Sequence, residues 1–460
     1  MRKPAIMSFF KSEAEAITYI FRSMRKLRGQ ERGPDEYTRD VSPTRRLLMA
    51  RGLVTPPREY AVVTGSKGKG STTVITARLL QHLGHTVGTI TSPHLVSWRE
   101  RIRVNGRVIP EADLLRILSD LAPDIDQIEA HLHGRQYFSP QGIFLAIALQ
   151  WFEEQGVKAA VLEVGRGGRF DDISVVPNKL SLFSPILLEH PEQLGPTIER
   201  VAWHKAGIIK PYSYAYSVPQ APEVLNVLQR EADQLGAEFN WIAPNDMGEY
   251  VGSTENGIRM RLGRYGEVEL SLMGRYEISN ATLAVIGAGN MHARLGATPS
   301  HGSQEYIDAI RAGLADVNWP GRCQKLQDNP PVYIDGAITV PSARSFIESL
   351  EGRLNKPVVT IIAVPIDRDY NGVYKVLAPV SDAIILTENA INIKIRFPPK
   401  NVALETARQY HSDVTYADTL SQAVKEATAR AGTDGTVVIA AAQPVVGEAM
   451  LLWGYTYDQI

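Results

Sequence analysis

Cysteine is almost absent: Cys323 is the single one in 460 residues. One thiol excludes an internal disulfide framework and any cysteine-rich metal site, and points to a reducing compartment. Neither sign of charge dominates, because 49 Lys and Arg stand against 50 Asp and Glu for a net charge of −1. That balance argues against a dedicated nucleic-acid binder, which carries a basic excess. No apolar run approaches the roughly 18 residues that span a bilayer. Arg2 and Lys3 precede a short apolar stretch, residues 5–10, that stops at Lys11. It is too short for the apolar region of a secretory signal. The 37 glycines and 28 prolines are ordinary and exclude collagen-like and proline-rich classes. The expectation is a cytoplasmic protein that binds neither nucleic acid nor membrane, long enough for two to three domains.

What is present is a rhythm of short apolar runs and helical patterns. Ile17, Ile20, Phe21 and Met24 recur at helical spacing and predict a leading amphipathic helix. Arg22, Arg25, Lys26 and Arg28 beside it read as a solvated face rather than an anion site. Residues 60–64 form a β-branched run, followed by a glycine loop and a helical stretch to about His82. Further apolar runs at 159–164, 182–188, 358–364, 383–386 and 436–442 each adjoin a helical pattern. Strands alternating with helices imply a mostly parallel sheet covered on both faces. Two segments alternate instead. Residues 101–109 carry Asn105-Gly106, a type I′ hairpin signal, and residues 248–273 read as a small antiparallel meander. A boundary is expected near Asn318 to Arg322, with a smaller α/β unit beyond it.

The glycine loop is the first chemical signal. Gly65, Gly68, Lys69, Gly70 and Ser71 stand between a strand and a helix. Phosphate oxygens need closely approaching backbone N–H groups, which glycine permits, and the positive end of a helix. Lys69 supplies a point charge for phosphate, and Ser71 or Thr72 a hydroxyl for Mg²⁺. The loop departs from the usual P-loop: no glycine stands five positions before Gly68, and Gly70 separates Lys69 from Ser71. GTP is disfavoured, because the lone Asn-Lys pair, Asn178-Lys179, continues as Leu180-Ser181 rather than as a guanine reader.

Several motifs then stand together in order. Thr91-Ser92-Pro93-His94-Leu95 precedes Glu100-Arg101-Ile102; Glu163-Val164-Gly165 runs into Gly167-Gly168-Arg169. Glu189-His190, Trp203-His204-Lys205-Ala206-Gly207, Gly274 to Asn280, Pro320-Gly321-Arg322 and Asp335-Gly336-Ala337 follow. In order and spacing, over about residues 10 to 450, the chain resembles folylpolyglutamate synthase and dihydrofolate synthase, members of the Mur ligase superfamily.

That resemblance implies an α/β fold: a P-loop ATP-binding domain over residues 1–318 with a small β meander, and a Rossmann-like amine-binding domain over 319–460. It implies an ATP- and Mg²⁺-dependent ligase that joins a small carboxylate, folate-like or other, to an amino acid or amine through an acyl phosphate. Lys69, His190 and Lys205 take the catalytic positions by this resemblance, and Ser71, Glu163, His190 and Lys205 those around Mg²⁺. Lys205 matches a lysine carbamylated in the family. Glu163 also closes an apolar run, where a carboxylate is costly unless it meets a cation or donor. Gly65, Gly68, Gly70, Thr72, Asn280, Arg322 and Asp335 complete the nucleotide set, and Ser92, His94 and Arg368 are substrate candidates. A monomer is implied.

The second half departs from the family pattern. Where members read Asp-Gly-Ala-His-Asn-Pro, this chain reads Asp335-Gly336-Ala337-Ile338-Thr339-Val340-Pro341, and Ala441-Ala442 replaces Gly-Ser. The lost histidine and serine are groups the resemblance assigns to incoming glutamate. An amine other than glutamate, and glutamate held by other residues such as Arg368 or Arg396, both remain open. Glu189 replaces a usual aspartate and Glu277 a usual glutamine, the latter bearing on the adenine or the domain interface. A non-catalytic ATP-binding paralogue and a phosphotransferase without an amide product are the alternatives.

Overall fold

A computed structural model describes residues 9–27, 29, 33–55, 57–389 and 395–460. Arg2, Lys3, most of the apolar stretch at 5–10, and Arg28 lie outside the described residues. The first sheet contains β1 (Glu59–Thr64), β2 (Val87–Ile90), β3 (Ile102–Val104), β4 (Arg107–Val108), β5 (Ala159–Glu163), β6 (Leu180–Phe183), β7 (Tyr214–Ser217) and β8 (Glu238–Trp241). Its order is β4-β3-β2-β5-β1-β6-β7-β8. All neighbours from β2 to β8 are parallel, and β3 and β4 add an antiparallel edge. Every residue of β2, β5 and β6 is buried, as in strands covered on both faces.

The expected hairpin is present. Asn105 (φ 49°) and Gly106 (φ 75°) both take positive φ, as a type I′ turn requires. The expected meander is β9 (Glu249–Ser253), β10 (Ile258–Arg261) and β11 (Glu267–Leu270), in order β11-β10-β9. The second large sheet holds β12 (Gln324–Asp328), β13 (Pro331–Asp335), β14 (Val358–Ala363), β15 (Ala383–Leu386), β16 (Val414–Tyr416) and β17 (Thr436–Ala441). It runs β12-β13-β17-β14-β15-β16 and is parallel except for β12. Apolar clusters cover both faces of each large sheet.

Two expectations change. The run at 182–188 is a strand only to Phe183. Pro185 cannot donate to a ladder, and the segment instead wraps the glycine loop. Ser66 N–H donates to Pro185 O (2.7 Å), Leu187 N–H to Ser66 Oγ (2.9 Å) and Ser184 Oγ to Lys67 O (2.6 Å). The leading helix, Glu13–Ile20, breaks at Phe21. Arg22 beyond the break lies over the Tyr19 ring (3.3 Å) and pairs with Asp126 and Glu129.

Register decides what meets at the carboxyl ends. Val63 of β1 lies beside Glu163 of β5, Ile90 of β2 beside Leu162, and Thr64 beside Phe183 of β6. The glycine loop, Ser92, Glu163 and the Ser184–His190 segment therefore leave the sheet side by side, where open α/β sheets bind ligands. In the other sheet Asp335 pairs with Ala440, so the segments following β13 and β17 also emerge together.

The hairpin turn offers a test of this frame. A Cβ on Gly106 would lie 2.1 Å from Ile460 O. Gly106→Ala is expected to lower stability by about 1–3 kcal/mol, from positive φ and backbone collision together. A denaturant midpoint that does not move would show that residues 457–460 do not rest on this turn in solution.

Candidate active site

The glycine loop is shaped by what presses on it. Gly65 (φ 153°) and Gly68 (φ 80°) take conformations that favour glycine, and a Cβ would lie 2.0 Å from Ser184 Oγ or 2.1 Å from Asn280 Oδ1 respectively. Gly70, the residue out of place for a P-loop, has a specific cause: a Cβ there would lie 2.9 Å from the Trp319 indole. Helix Lys69–His82 starts directly from Gly68 with no side chain capping it, so its first N–H groups face the cleft. Lys69 Nζ curls back to donate to Gly65 O at 2.9 Å.

Glu163 is buried at the end of β5 and accepts the Ser92 N–H at 2.7 Å. Burial pushes its carboxyl up to about 7, against the pull of Lys69, the Ser92 N–H, Arg322 and Arg101. Lys205, on helix Ile198–Ala206, is 1 % exposed and donates to Gly65 O and to Glu189 Oε1, both at 2.9 Å. Burial brings its amine down to about 8, with Glu189 opposing and Lys69 assisting. The shift enlarges the neutral fraction of the amine, the form that reacts with CO₂. His190 is a non-glycine residue at φ 47°, and burial holds its imidazole below the ordinary value.

The second sheet supplies the facing wall. Asp335, at the end of β13, accepts Tyr276 Oη–H (2.6 Å) and Cys323 N–H (2.7 Å), and burial raises its carboxyl. Arg322 lies 5.9 Å from the Trp319 ring centroid and acts electrostatically on Glu163, Glu277 and Asp335. Glu277 and Asn280 begin helix Glu277–Arg294. Glu277 is fully buried and accepts from Ser71 Oγ (2.8 Å) and Asn280 Nδ2 (2.7 Å), while burial lifts its carboxyl to about 7. Thr72 Oγ1 lies 3.5 Å from Asn280 Oδ1.

A cleft of about 450 Å³ joins these groups, lined by Lys67, Lys69, Ser71, Ser92, Glu163 and Asn280 on one side and Arg322, Asp335, Ile338 and Gln443 on the other. Six expected site residues lie off this lining: Gly65, Thr72, His94, His190, Lys205 and Arg368. His94 packs at 4.2 Å on the Trp98 ring and accepts from Arg101 Nε at 3.2 Å, in a small neighbouring recess. Burial and Arg101 depress its imidazole to about 3, so it is neutral. His190 and Arg368 stand close enough to interact electrostatically with each other, and Arg368 also acts on Lys67. Lys67 carries no role in the sequence reading; here its ammonium belongs to the cation group, held low by burial and by Lys69, Arg368 and Arg322. Trp319, Tyr276 and Arg101 also carry no expected role, although Arg101 and Tyr276 stand within the recognised motifs and Trp319 directly precedes Pro320-Gly321-Arg322. Arg101 is sandwiched against Trp98 (4.5 Å) and Phe144 (5.6 Å) and interacts with Glu163.

The donor set fits Mg²⁺ and a nucleoside triphosphate. The glycine loop would be filled by any Cβ, and Glu163 is a buried carboxylate with only one hydrogen bond. Among the described residues no three His, Cys, Asp or Glu side chains form a ready-made metal cluster. Mg²⁺ suits such a site, because it keeps several waters and takes few protein ligands.

Comparisons with known proteins agree with this geometry. A family model, "Mur ligase, glutamate ligase domain", matches residues 321–443. A dihydrofolate synthase/folylpolyglutamate synthase of Bacillus subtilis is 31 % identical over 346 residues, covering 73 % of this chain and 78 % of that protein. Its Mycobacterium tuberculosis counterpart is 30 % identical over 414 residues, covering 85 % and 82 %. The solved M. tuberculosis folylpolyglutamate synthase complexed with ADP has a TM-score of 0.80 at 25 % identity, over 96 % of this chain and 99 % of that one. A P-loop sheet facing a second parallel sheet across one cleft is thus the two-part fold of the Mur ligases. Within them, the chain belongs to the folylpolyglutamate/dihydrofolate synthase family, and it is an ATP-dependent, ADP-forming ligase.

Glu163 gives a stability signature. Its folded pKa of about 7 exceeds the ordinary 4.5, so its favourable contribution is complete below about 4.5 and lost as pH rises through about 7. Above that window the ionised form costs on the order of 3 kcal/mol. Glu163→Gln keeps an acceptor for the Ser92 N–H and removes the titration. Ligand-free variant and wild type are expected to diverge across the window, the variant being the more stable at its alkaline end. Parallel stability profiles would show that Glu163 ionises at its ordinary value.

Proposed function

We propose that the protein activates a small carboxylate with ATP and joins it to an amine, with residues 1–318 holding the nucleotide and 319–460 the amine. The observation that carries this reading is the shared cleft, in which Lys69 and Glu163 face Asp335 and Ile338. Gly65, Gly68, Gly70 and the start of helix Lys69–His82 cradle phosphates, with Lys69 and Arg322 neutralising charge on the transferring group. Thr72, Asn280 and Asp335 hold the rest of the nucleotide. Ser71, Glu163, His190 and a carbamylated Lys205 would hold Mg²⁺, which supplies Lewis-acid stabilisation of the phosphoryl group. Ser92, His94 and Arg368 position the acid and amine. The acyl phosphate formed on the acid is then opened by the amine, in a cleft closed to water. The enzyme acts as a monomer in the cytoplasm, on small molecules only.

The names of the relatives support a folate-type acid and glutamate. The local chemistry of the second wall supports a different amine. Ile338 lines the cleft without a polar group, and Thr339 is spent capping helix Val340–Ser349, where it exchanges hydrogen bonds with Ser342. Ala442 starts helix Gln443–Leu452 with no side-chain bond. Arg368 stands beyond this lining, 3.9 Å from Asp367. Each absent polar contact removes roughly 1–3 kcal/mol of affinity for a charged amine.

A mass-spectrometric ligation screen tests both levels. Protein, ATP, Mg²⁺, dihydropteroate or tetrahydrofolate and pooled amino acids are expected to give an amide product carrying an amino acid other than glutamate. A glutamyl product at an ordinary rate would sink the altered-amine reading and leave the ligase. ADP release without any amide would favour a phosphotransferase, and ATP binding without turnover a non-catalytic paralogue. Lys69→Ala should abolish the product.

A further inference from the structure

Arg101 carries a charge that the described part of the chain leaves without a counter-ion. It ends the short helical turn Trp98–Arg101, and its carbonyl accepts the Thr91 N–H at 3.0 Å. With Ile102 of β3 paired to Ile90 of β2, that bond sets Arg101 at the carboxyl end of β2, beside Ser92. Ser92 lines the cleft and holds Glu163 through its N–H.

The guanidinium is fixed by its surroundings. It lies over the rings of Trp98 (4.5 Å) and Phe144 (5.6 Å), which are parallel to within 4°. Its Nε–H donates to His94 Nδ1 at 3.2 Å, so that nitrogen bears no proton and the imidazole acts as an acceptor. His94 rests in turn on Trp98. The remaining donors are idle: among the described residues nothing accepts from Nη1 or Nη2, and no carboxylate forms an ion pair with the group. Other arginines withdrawn from water are paired, Arg58 with Glu153 at 3.0 Å and Arg39 with Asp171 at 3.3 Å and Asp172 at 3.6 Å. Aromatic faces attract a cation but accept no such hydrogen bonds in the ring plane. Arg101 is thus half of a pair, with an oriented N–H fork that matches a carboxylate.

Its place in the sheet says which anion. The order β3-β2-β5-β1 puts Arg101 on one side of Glu163 and the glycine loop on the other. Lys69 and the phosphate helix serve the nucleotide from the β1 side, and Arg101 is left facing the opposite flank of the same carboxylate. Glu163 feels its charge without touching it.

We propose that Arg101 grips the carboxylate of the acid substrate, across Glu163 from the ATP phosphates, and that His94 is the positioning residue that aims its fork. This rests on the reading of the cleft as the place where a small carboxylate is activated. His94 then serves the acid through Arg101 rather than by touching it.

The test is equilibrium binding of dihydropteroate and of its carboxamide to protein saturated with ADP and Mg²⁺. The two probes differ only in the charge and acceptors of the group to be activated. Wild type is expected to bind the acid about tenfold more tightly than the amide. In Arg101→Gln the two affinities should converge to within about twofold, with carboxamide and ADP affinity kept. Arg101→Lys keeps the charge without the fork, and an intermediate preference of about threefold is expected. His94→Phe keeps a ring on Trp98 and removes the acceptor, so it should weaken the acid alone. Loss of ADP binding in Arg101→Gln would show a collapsed cleft, and Arg101→Lys then decides by the same preference. A tenfold preference that persists in either Arg101 variant, or equal binding of acid and amide by wild type, overturns the assignment. Binding of neither probe by the wild-type protein would overturn the folate-type acid instead.

Discussion

The parallel pairing of β5 between β2 and β1 sets everything at the cleft. Hydrogen bonds along residues 59–63 and 159–163 fix Glu163 beside Val63, so the carboxylate emerges next to the glycine loop that follows β1. The same ladder on its far edge brings the turn after β2 within reach, and the Ser92 N–H completes a bond to Glu163. Because those strands are apolar on both sides, register here is tied to position along the ladder and to the loops at its end.

Charge is crowded where the ladder ends. Glu163 and Glu277 are pushed up to about 7 and Lys205 down to about 8, each chiefly by loss of water. These groups are poorly solvated and only partly paired, the condition in which a cation or a phosphate gains most on entering. The folded protein carries that cost so that its donors and acceptors are already aimed when ligands arrive.

Trp319 and Arg322 link the two sheets at the cleft itself. Trp319 leans on Gly70 at the start of the phosphate helix, and Arg322 three positions on acts on Glu163, Glu277 and Asp335 together. The strand connection that follows the P-loop unit therefore touches the loop it must close over. On the opposing wall the usual polar contacts have been replaced by Ile338 and Ala442, while the groups around the phosphates are kept.

Local chemistry in the sequence determined the strand-and-helix rhythm, the Asn105-Gly106 hairpin, the meander and the glycine loop, because each depends on neighbours within a few residues. The motif order likewise made the ligase family legible. Pro185 was misread as strand because its partners, Ser66 and Lys67, lie on a loop more than a hundred residues away. The cause of Gly70 was invisible for the same reason, as Trp319 meets it only after folding. Ser71 and Glu277 are 206 residues apart, and Lys205 and Gly65 are 140 apart. Residue type and spacing can name a carboxylate or an amine. Only tertiary burial decides how much water each loses, which partner it keeps, and so which way its donors and acceptors point.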